Sequence, residues 1–325
     1  MRDNKPVDRG EHKDRVLRAI GSANAAATSM VAASWARSVH LHGLSPDRFT
    51  ELQRHEERDL GHRRARLDRL LHVSPSSLDR LYGLISLTGC GLFLCDTEGV
   101  ILEQRRGAGD ESDFDKAGLT TGADWSEKHQ GTNGIGTCIV ESRPVSIHFD
   151  QHFSSSNTVM SCMGAPIFGT DGELTAVLDV SSCRQDLDKS MASLISNAVG
   201  ETAGQIEADH FCDRFAAMRI LRGQGDRQRA PVLLAVDKDD LVVGATRAAR
   251  KAYGLPVNAK LAPKPASDFL GDTEARGVGF DSAERRELSR AIARANGNMT
   301  AAAKSLNISR ATLYRRMQKL GIGDN

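Results

Sequence analysis

The stretch GNMTAAAKSLNISRATLYRRMQKLGI, residues 297–322, decides how the chain is read. It follows a helix expected from Leu288, Ile292 and Ala295, which recur on one face. Ser282 is the expected N-cap of that helix, with Asp281 and Glu284 near the positive end of its dipole. Asn296-Gly297 is its stop, since glycine accepts the left-handed backbone that ends a helix. Thr300 then opens a short helix over 301–306, rich in alanine, across which another helix can pass closely. Asn307-Ile308 makes the turn, and Ser309 caps a third helix whose inner face is Leu313, Met317 and Leu320. The outer face carries Arg310, Ala311, Tyr314 and Arg315, flanked by Thr312, Arg316 and Lys319. Short helix, tight turn and capped basic helix is the arrangement in which first-turn side chains reach base edges while flanking cations hold phosphates. Double-stranded DNA is therefore the expected partner.

Charge points the same way. Residues 281–325 hold nine Lys/Arg against four Asp/Glu, a net of +5, whereas residues 90–189 hold seven against sixteen, a net of −9. A basic tail beside an acidic body suits a polyanion at the tail alone. The 325 residues imply two or three domains. No apolar run reaches the roughly 18 residues of a membrane span, and the N-terminus lacks a secretory pattern. The six cysteines are scattered without a CxxC pair, so a reduced, cytoplasmic protein is expected, with no membrane partner.

Upstream of the tail, residues 257–280 read as a linker. Val232–Val236 and Leu241–Val243 flank a turn at Asp237–Asp240, and a helix over 245–253 follows. Residues 190–222 hold no proline and read as one long connecting helix. Two further hairpins are expected, at Leu92–Leu102 around Asp96-Thr97-Glu98-Gly99 and at Ala165–Val180 around Thr170–Glu173. Toward the N-terminus, helices are expected over 14–37 and 47–72, with a boundary at Ser74-Pro75. Residues 1–14 are almost all polar and read as a disordered tip.

The tail closely resembles the Fis-type helix-turn-helix. That resemblance puts Asn298, Thr300, Arg310, Thr312, Arg315 and Arg316 at DNA-contacting places, beside Ser309, Tyr314 and Lys319. It also implies a homodimer in which Leu288 and Ile292 face the partner. The middle of the chain resembles the GAF sensor of acetoin-type activators in the bacterial enhancer-binding family. The resemblance rests on Trp125, GTNGIGTC at 131–138, RPVSIHFDQHF at 143–153 and GAPIFGTDGELTAVLDVS at 164–181. SWARSVHLHGLSPDR is similar to that family's opening, and LLAVDKDDLVVGATRAARKAYGL to its PAS-like segment.

The expected class is α+β. It comprises an N-terminal helical region (1–75), a GAF-like antiparallel-sheet sensor (76–190), a connecting helix (191–225), a small PAS-like segment (229–270) and an all-α Fis-type helix-turn-helix (281–325). Such activators carry an ATPase between sensor and DNA-binding parts. This sequence has no GxxxxGK[ST] phosphate loop, and its linker is too short for a motor domain. The resemblance together with strand alternation makes Phe93, Trp125, Thr132, Asn133, Thr137, His148 and Cys162 the candidate lining of a small-molecule site. Asn133-Gly134 could equally form a tight turn without a ligand role. His148 and His152 are spaced i,i+4, but they fall at the end of a strand and in a loop, and no metal is expected. No GxSxG elbow, HExxH or dinucleotide-binding unit occurs, so neither catalysis nor a cofactor is expected. The expected function is a ligand-responsive transcription regulator, with RNA polymerase as a further partner. The first rival is a nucleoid-type architectural DNA-binding protein; the second is an enzyme whose tail only localises it, against which the missing catalytic motifs speak.

Overall fold

A computed structural model describes residues 8–21, 24–48, 51–223, 230–237, 241–270, 280–295 and 297–322. The chain forms two compact units, one ending at Phe269 and the other beginning at Leu270. The class is α+β, as expected.

The N-terminal region differs in detail from its sequence reading. The first half of helix α1 (Arg9–Ile20) lies within the stretch read as disordered; Met1–Val7 are outside the described residues. Asp8 caps it, accepting from Gly10 N at 2.8 Å. Its few apolar positions suffice, because Val16 is buried against Trp35 and Phe153. The single helix expected over 14–37 is broken into α1, α2 (Ala25–Thr28) and α3 (Met30–Ala36), which runs into a π-helical turn at Arg37–Leu41. Ser29 starts α3 by accepting from Ala32 N. Helix α4 (Glu57–Arg66) begins ten residues after the expected start, followed by α5 (Asp68–Val73) and α6 (Pro75–Ile85). Pro75 takes the first turn of α6, where its missing N–H has no intrahelical partner to lose.

The central sheet begins with β1 (Cys90–Asp96) and β2 (Ile101–Arg105), the first expected hairpin. Asp96 Oδ1 accepts from the backbone N–H of Glu98 and Val100, and Gly99 has φ +89°, which closes the turn. Helices α7 (Glu111–Ala117), α8 (Glu127–Gln130) and α9 (Gly134–Glu141) follow, then β3 (Val145–His148), β4 (Ser161–Phe168) and β5 (Leu174–Ser182). Strand order is β2-β1-β5-β4-β3, with every pair antiparallel. Both faces of the centre are buried. Leu92, Leu94, Met163, Ile167, Leu178 and Val180 pack toward α5, α6 and the long helix α10 (Lys189–Arg214). Phe93, Cys95 and Cys162 point the other way, into a cluster with Phe114, Trp125 and Ile135.

The connecting helix stops at Arg214, short of the expected residue 222, and Arg219–Arg222 form strand β6 instead. Nothing in the local sequence breaks the helix; tertiary packing does. Phe215 lies against Phe211 with ring centroids 4.8 Å apart, and its ring fills the space a Cβ on Gly244 would need. Strand β6 pairs with β7 (Leu233–Val236), β7 with β8 (Leu241–Ala245), and β8 with β9 (Lys264–Pro265). This sheet, with α11 (Arg247–Ala252) and α12 (Ser267–Leu270), gives the segment read from sequence as PAS-like a core of its own around Leu234, Val242 and Leu261. Most of its expected turn, 238–240, lies outside the described residues, as does 271–279 of the expected linker.

Arg250 joins this segment to the central domain. It is 1% exposed, and its guanidinium donates to the carbonyls of Ala245, Pro256 and Ala259 at 2.6–3.0 Å and reaches Thr170 O and Asp171 on the β4–β5 turn at 3.4 Å. A buried charge persists only when its donors are satisfied in this way.

The second unit is a three-helix bundle of α13 (Phe280–Arg294), α14 (Met299–Ser305) and α15 (Arg310–Lys319). Helix α13 already includes Phe280 and Asp281, so Ser282 is inside it rather than at its cap, and its side chain lies outside the described residues. Asn296 is likewise outside; Gly297 has φ +79° and donates to Ile292 O at 3.0 Å, an ending that glycine favours.

Candidate functional site

Two places bring the sequence-derived residues together. In the bundle, Asn298 Oδ1 accepts from Thr300 N and Ala301 N at 3.1 Å, so Asn298 is the N-cap of α14. Ala302 and Ala303 are buried beneath α15, where a larger side chain would hold the helices apart. Asn307 takes φ +52° in the turn, and Ser309 Oγ accepts from Thr312 N at 3.1 Å to start α15. Leu313 and Met317 are buried with Leu288 and Ala291, and Leu320 packs on their edge.

The opposite face of α15 is free within its unit. Arg310, Ala311, Tyr314 and Arg315 are all exposed, and Thr300 is exposed on α14. Arg310 is held over the Tyr314 ring at 5.5 Å, with Nη2 3.4 Å from the Tyr314 hydroxyl. That contact keeps the guanidinium near the helix tip and lowers the entropy lost on fixing it against a target. The two flanking cations are less free than the sequence suggested. Arg316 pairs with Glu284 at 2.8 Å and Lys319 with Asp281 at 2.9 Å, both tying α15 to α13.

Leu288 and Ile292 require a correction. Leu288 is 3% exposed within the bundle's own core, and Ile292 packs against the same cluster. Leu288 is spent on closing the bundle together with Leu313 and Met317, and Ile292 packs on the edge of that core, so Leu288 is not left free for a partner subunit.

The second place lies inside the central domain. Phe93, Trp125 and Cys162 share one apolar cluster, and Trp125 Nε1 donates to Gly118 O at 3.0 Å. Asn133 is the N-cap of α9: its Oδ1 accepts from Ile135 N and Gly136 N, and its Nδ2 donates to Trp125 O and Gly131 O. The tight-turn reading of Asn133 thus has a structural basis. Thr132 and Thr137 meet a residue the sequence reading left out. Ser34 Oγ of α3 lies 2.6 Å from Thr132 Oγ1, 3.3 Å from Thr137 Oγ1 and 2.7 Å from Glu127 Oε2. Arg37 then clamps Glu127 at 2.7 Å and Glu141 at 3.1 Å. The N-terminal SWARS string and the GTNGIGTC string therefore dock on each other.

His148 lies on β3, apart from this group, and burial lowers its pKa. Both ring nitrogens of His152 are occupied, Nδ1 3.0 Å from Phe149 O and Nε2 3.3 Å from Cys162 Sγ, and burial brings its pKa down to about 4. Cys162 is also contacted by Ser181 Oγ at 3.1 Å, which donates at 2.6 Å to Asp179 Oδ2. Asp179 is the other residue missed. It is fully buried on β5 with a pKa raised to about 6 by desolvation against the help of Ser181. Its Oδ1 has no hydrogen-bond partner among the described residues. It sits where a Cβ on Gly134 would collide with it and with Cys162. The available signal was a carboxylate inside the otherwise apolar run LTAVLDVSS.

Residues 69–206 match the GAF domain family, and residues 280–320 match the family described as bacterial regulatory protein, Fis family. The acetoin catabolism regulatory protein of Cupriavidus necator is 30% identical over 242 residues, 73% of this chain and 36% of that protein. The propane 2-monooxygenase operon transcriptional activator MimR of Mycolicibacterium smegmatis is 30% identical over 165 residues, 50% of this chain and 27% of that one. The acetoin dehydrogenase operon transcriptional activator AcoR of Bacillus subtilis is 32% identical over 111 residues, 34% and 18% respectively. The alignments thus span about a third or less of each relative's length. In fold, the chain is similar to the E. coli DhaR(N)–DhaL complex, with TM-score 0.52 and 14% identity over 81% of this chain and 86% of that one.

Proposed function

We propose that this chain, a GAF domain joined to a Fis-type helix-turn-helix, is a sequence-specific DNA-binding transcription regulator whose GAF domain senses a small molecule. The observation that carries the reading is α15: a capped helix with Arg310, Tyr314 and Arg315 exposed on one face and its apolar face spent on its own bundle. Asn298, Thr300, Ser309, Thr312, Arg316 and Lys319 complete the proposed contact set. The protein works as a homodimer in the cytoplasm, addresses RNA polymerase, and neither hydrolyses nucleotides nor catalyses another reaction. Phe280, 95% exposed at the start of α13, is a large apolar side chain available to a partner subunit.

The effector is a small neutral or weakly polar organic molecule, held between α9 and the sheet near Phe93, Trp125, Thr132, Thr137 and Cys162, with His148 at the margin. Asp179 Oδ1 supplies a polar anchor for a hydroxyl, and its missing partner supports that placement. Thermal-shift screening of small alcohols, ketones and diols should find a stabilising compound whose shift falls in Thr132→Ala and Asp179→Asn; unaltered shifts would move the site elsewhere.

The DNA reading is tested by selecting bound duplexes from a random library. Convergence on paired half-sites about one helical turn apart is expected. Broad enrichment of AT-rich, bendable sequences would favour an architectural protein instead.

A further inference from the structure

A cavity of about 410 Å³ lies outside the GAF interior, on the other side of the central sheet. Its walls come from β4, α10 and α11. The floor is apolar, made by Pro144, Ala165, Pro166 and the Phe168 ring. Gly200 and Gly204, one turn apart on α10, open it by presenting no side chain. A Cβ on Gly200 would meet nothing within 4 Å.

Three ionisable side chains meet at this cavity. Arg247 stacks over Phe168, its guanidinium carbon 4.0 Å from the ring centroid, and donates through Nη1 to Gly172 O. Its Nε is buried without a hydrogen-bond partner among the described residues. Lys251 is exposed at the rim, one turn further along α11. Neither cation has a carboxylate within salt-bridge distance among the described residues. Glu207 is buried opposite them. Its Oε1 accepts from Phe168 N at 2.9 Å, and burial pushes its pKa up to about 8 although both cations pull it down. At neutral pH it is therefore largely protonated and does not compensate the two cations. An apolar chamber whose wall holds two cations without a carboxylate partner among the described residues, and one acid kept neutral by burial, is complementary to a single negative charge on an apolar body.

We propose that this cavity binds a small organic monocarboxylate, its carboxylate held by Arg247 and Lys251 and its apolar body lying on Phe168 and Pro166 against the glycine face of α10. The site is independent of the GAF-interior effector site, and the two readings fail separately. Bound there, the ligand would bridge the GAF domain and the PAS-like segment.

Calorimetric titration of the full chain at pH 7 tests this with three probes: benzoate, benzyl alcohol as its neutral counterpart, and inorganic phosphate. Benzoate should bind at least about tenfold more tightly than benzyl alcohol, a ratio a charge-assisted contact supplies. Phosphate, which has no apolar body, should bind more weakly than benzoate. Lys251→Met keeps the aliphatic stem and removes the charge; it should weaken benzoate by about tenfold. Gly200→Leu fills the chamber from a position with room for a side chain and should abolish binding while the melting temperature holds. Absence of benzoate binding to the parent would overturn the proposal. So would equal affinity for benzyl alcohol, preference for phosphate, or parent-like binding by both folded variants.

Discussion

Arg316 Nη1 lies 2.8 Å from Glu284 Oε1, so a cation read from sequence as a phosphate contact is also a tie between α15 and α13. The pair is part-exposed, and such pairs contribute about 0.2–1 kcal/mol. A double-mutant cycle with Glu284→Ala should give a coupling in that range in thermal unfolding. The two roles separate on DNA. Arg316→Ala should weaken all duplexes alike and lower the salt slope by about one unit per subunit contact. Glu284→Ala should leave the slope unchanged or raise it. Equal loss in both variants would mean that the pair acts only through the fold.

Arg250 predicts a structural dependence. Arg250→Met removes the donors that satisfy the Ala245, Pro256 and Ala259 carbonyls and the link to Thr170 and Asp171. Leaving such groups unsatisfied should cost about 3 kcal/mol or more. Hydrogen exchange should rise in β7, β8 and α11 before it rises in the central sheet. Uniform exchange across both would show that the two parts unfold together regardless of Arg250.

Asp179 carries a pH signature with a defined sign. Its folded pKa, about 6, lies above its ordinary value of 3.8, so the folded state holds the proton more tightly. Stability from this group is therefore present below about pH 4 and is lost as pH rises through 6. The gap corresponds to about 3 kcal/mol at most. Asp179→Asn should raise the melting temperature at pH 7.5 relative to the parent, with the advantage shrinking at pH 4.5. A constant difference across that range would place Asp179 in a wetter setting.

No nucleotide hydrolysis is expected, because the sequence between sensor and helix-turn-helix contains no phosphate loop. Phosphate release from ATP with protein and target DNA should stay at the blank. DNA-stimulated release would contradict this.

Much of this was legible because local signals and tertiary demands agreed. Asp96 to Gly99 closes its hairpin with the side chain the turn needs, and Ser309 caps the helix it precedes. The misreadings share one cause. The break at Arg214, the burial of Leu288 inside its own bundle and the engagement of Thr132 by Ser34 are set by residues distant in sequence, and helical periodicity carries no such information. Asp179 was visible as an acid in an apolar strand, whereas Glu207 stands between Gln205 and Asp209 and carries no such signal; only three-dimensional packing shows that both are desolvated.

The central claim is that α15 reads DNA, and Arg310 tests it most directly. Arg310 follows the Ser309 cap, where a bidentate contact to a guanine edge is worth about 1–3 kcal/mol of discrimination. The measurement is a salt series of binding by the parent and Arg310→Ala to a selected operator and its scrambled duplex. The account predicts a loss on the operator larger than on the scrambled duplex, with specificity relaxed at one position in each half-site. Parent-like binding of both duplexes by Arg310→Ala, together with Arg315→Ala, would show that α15 is not the reading helix.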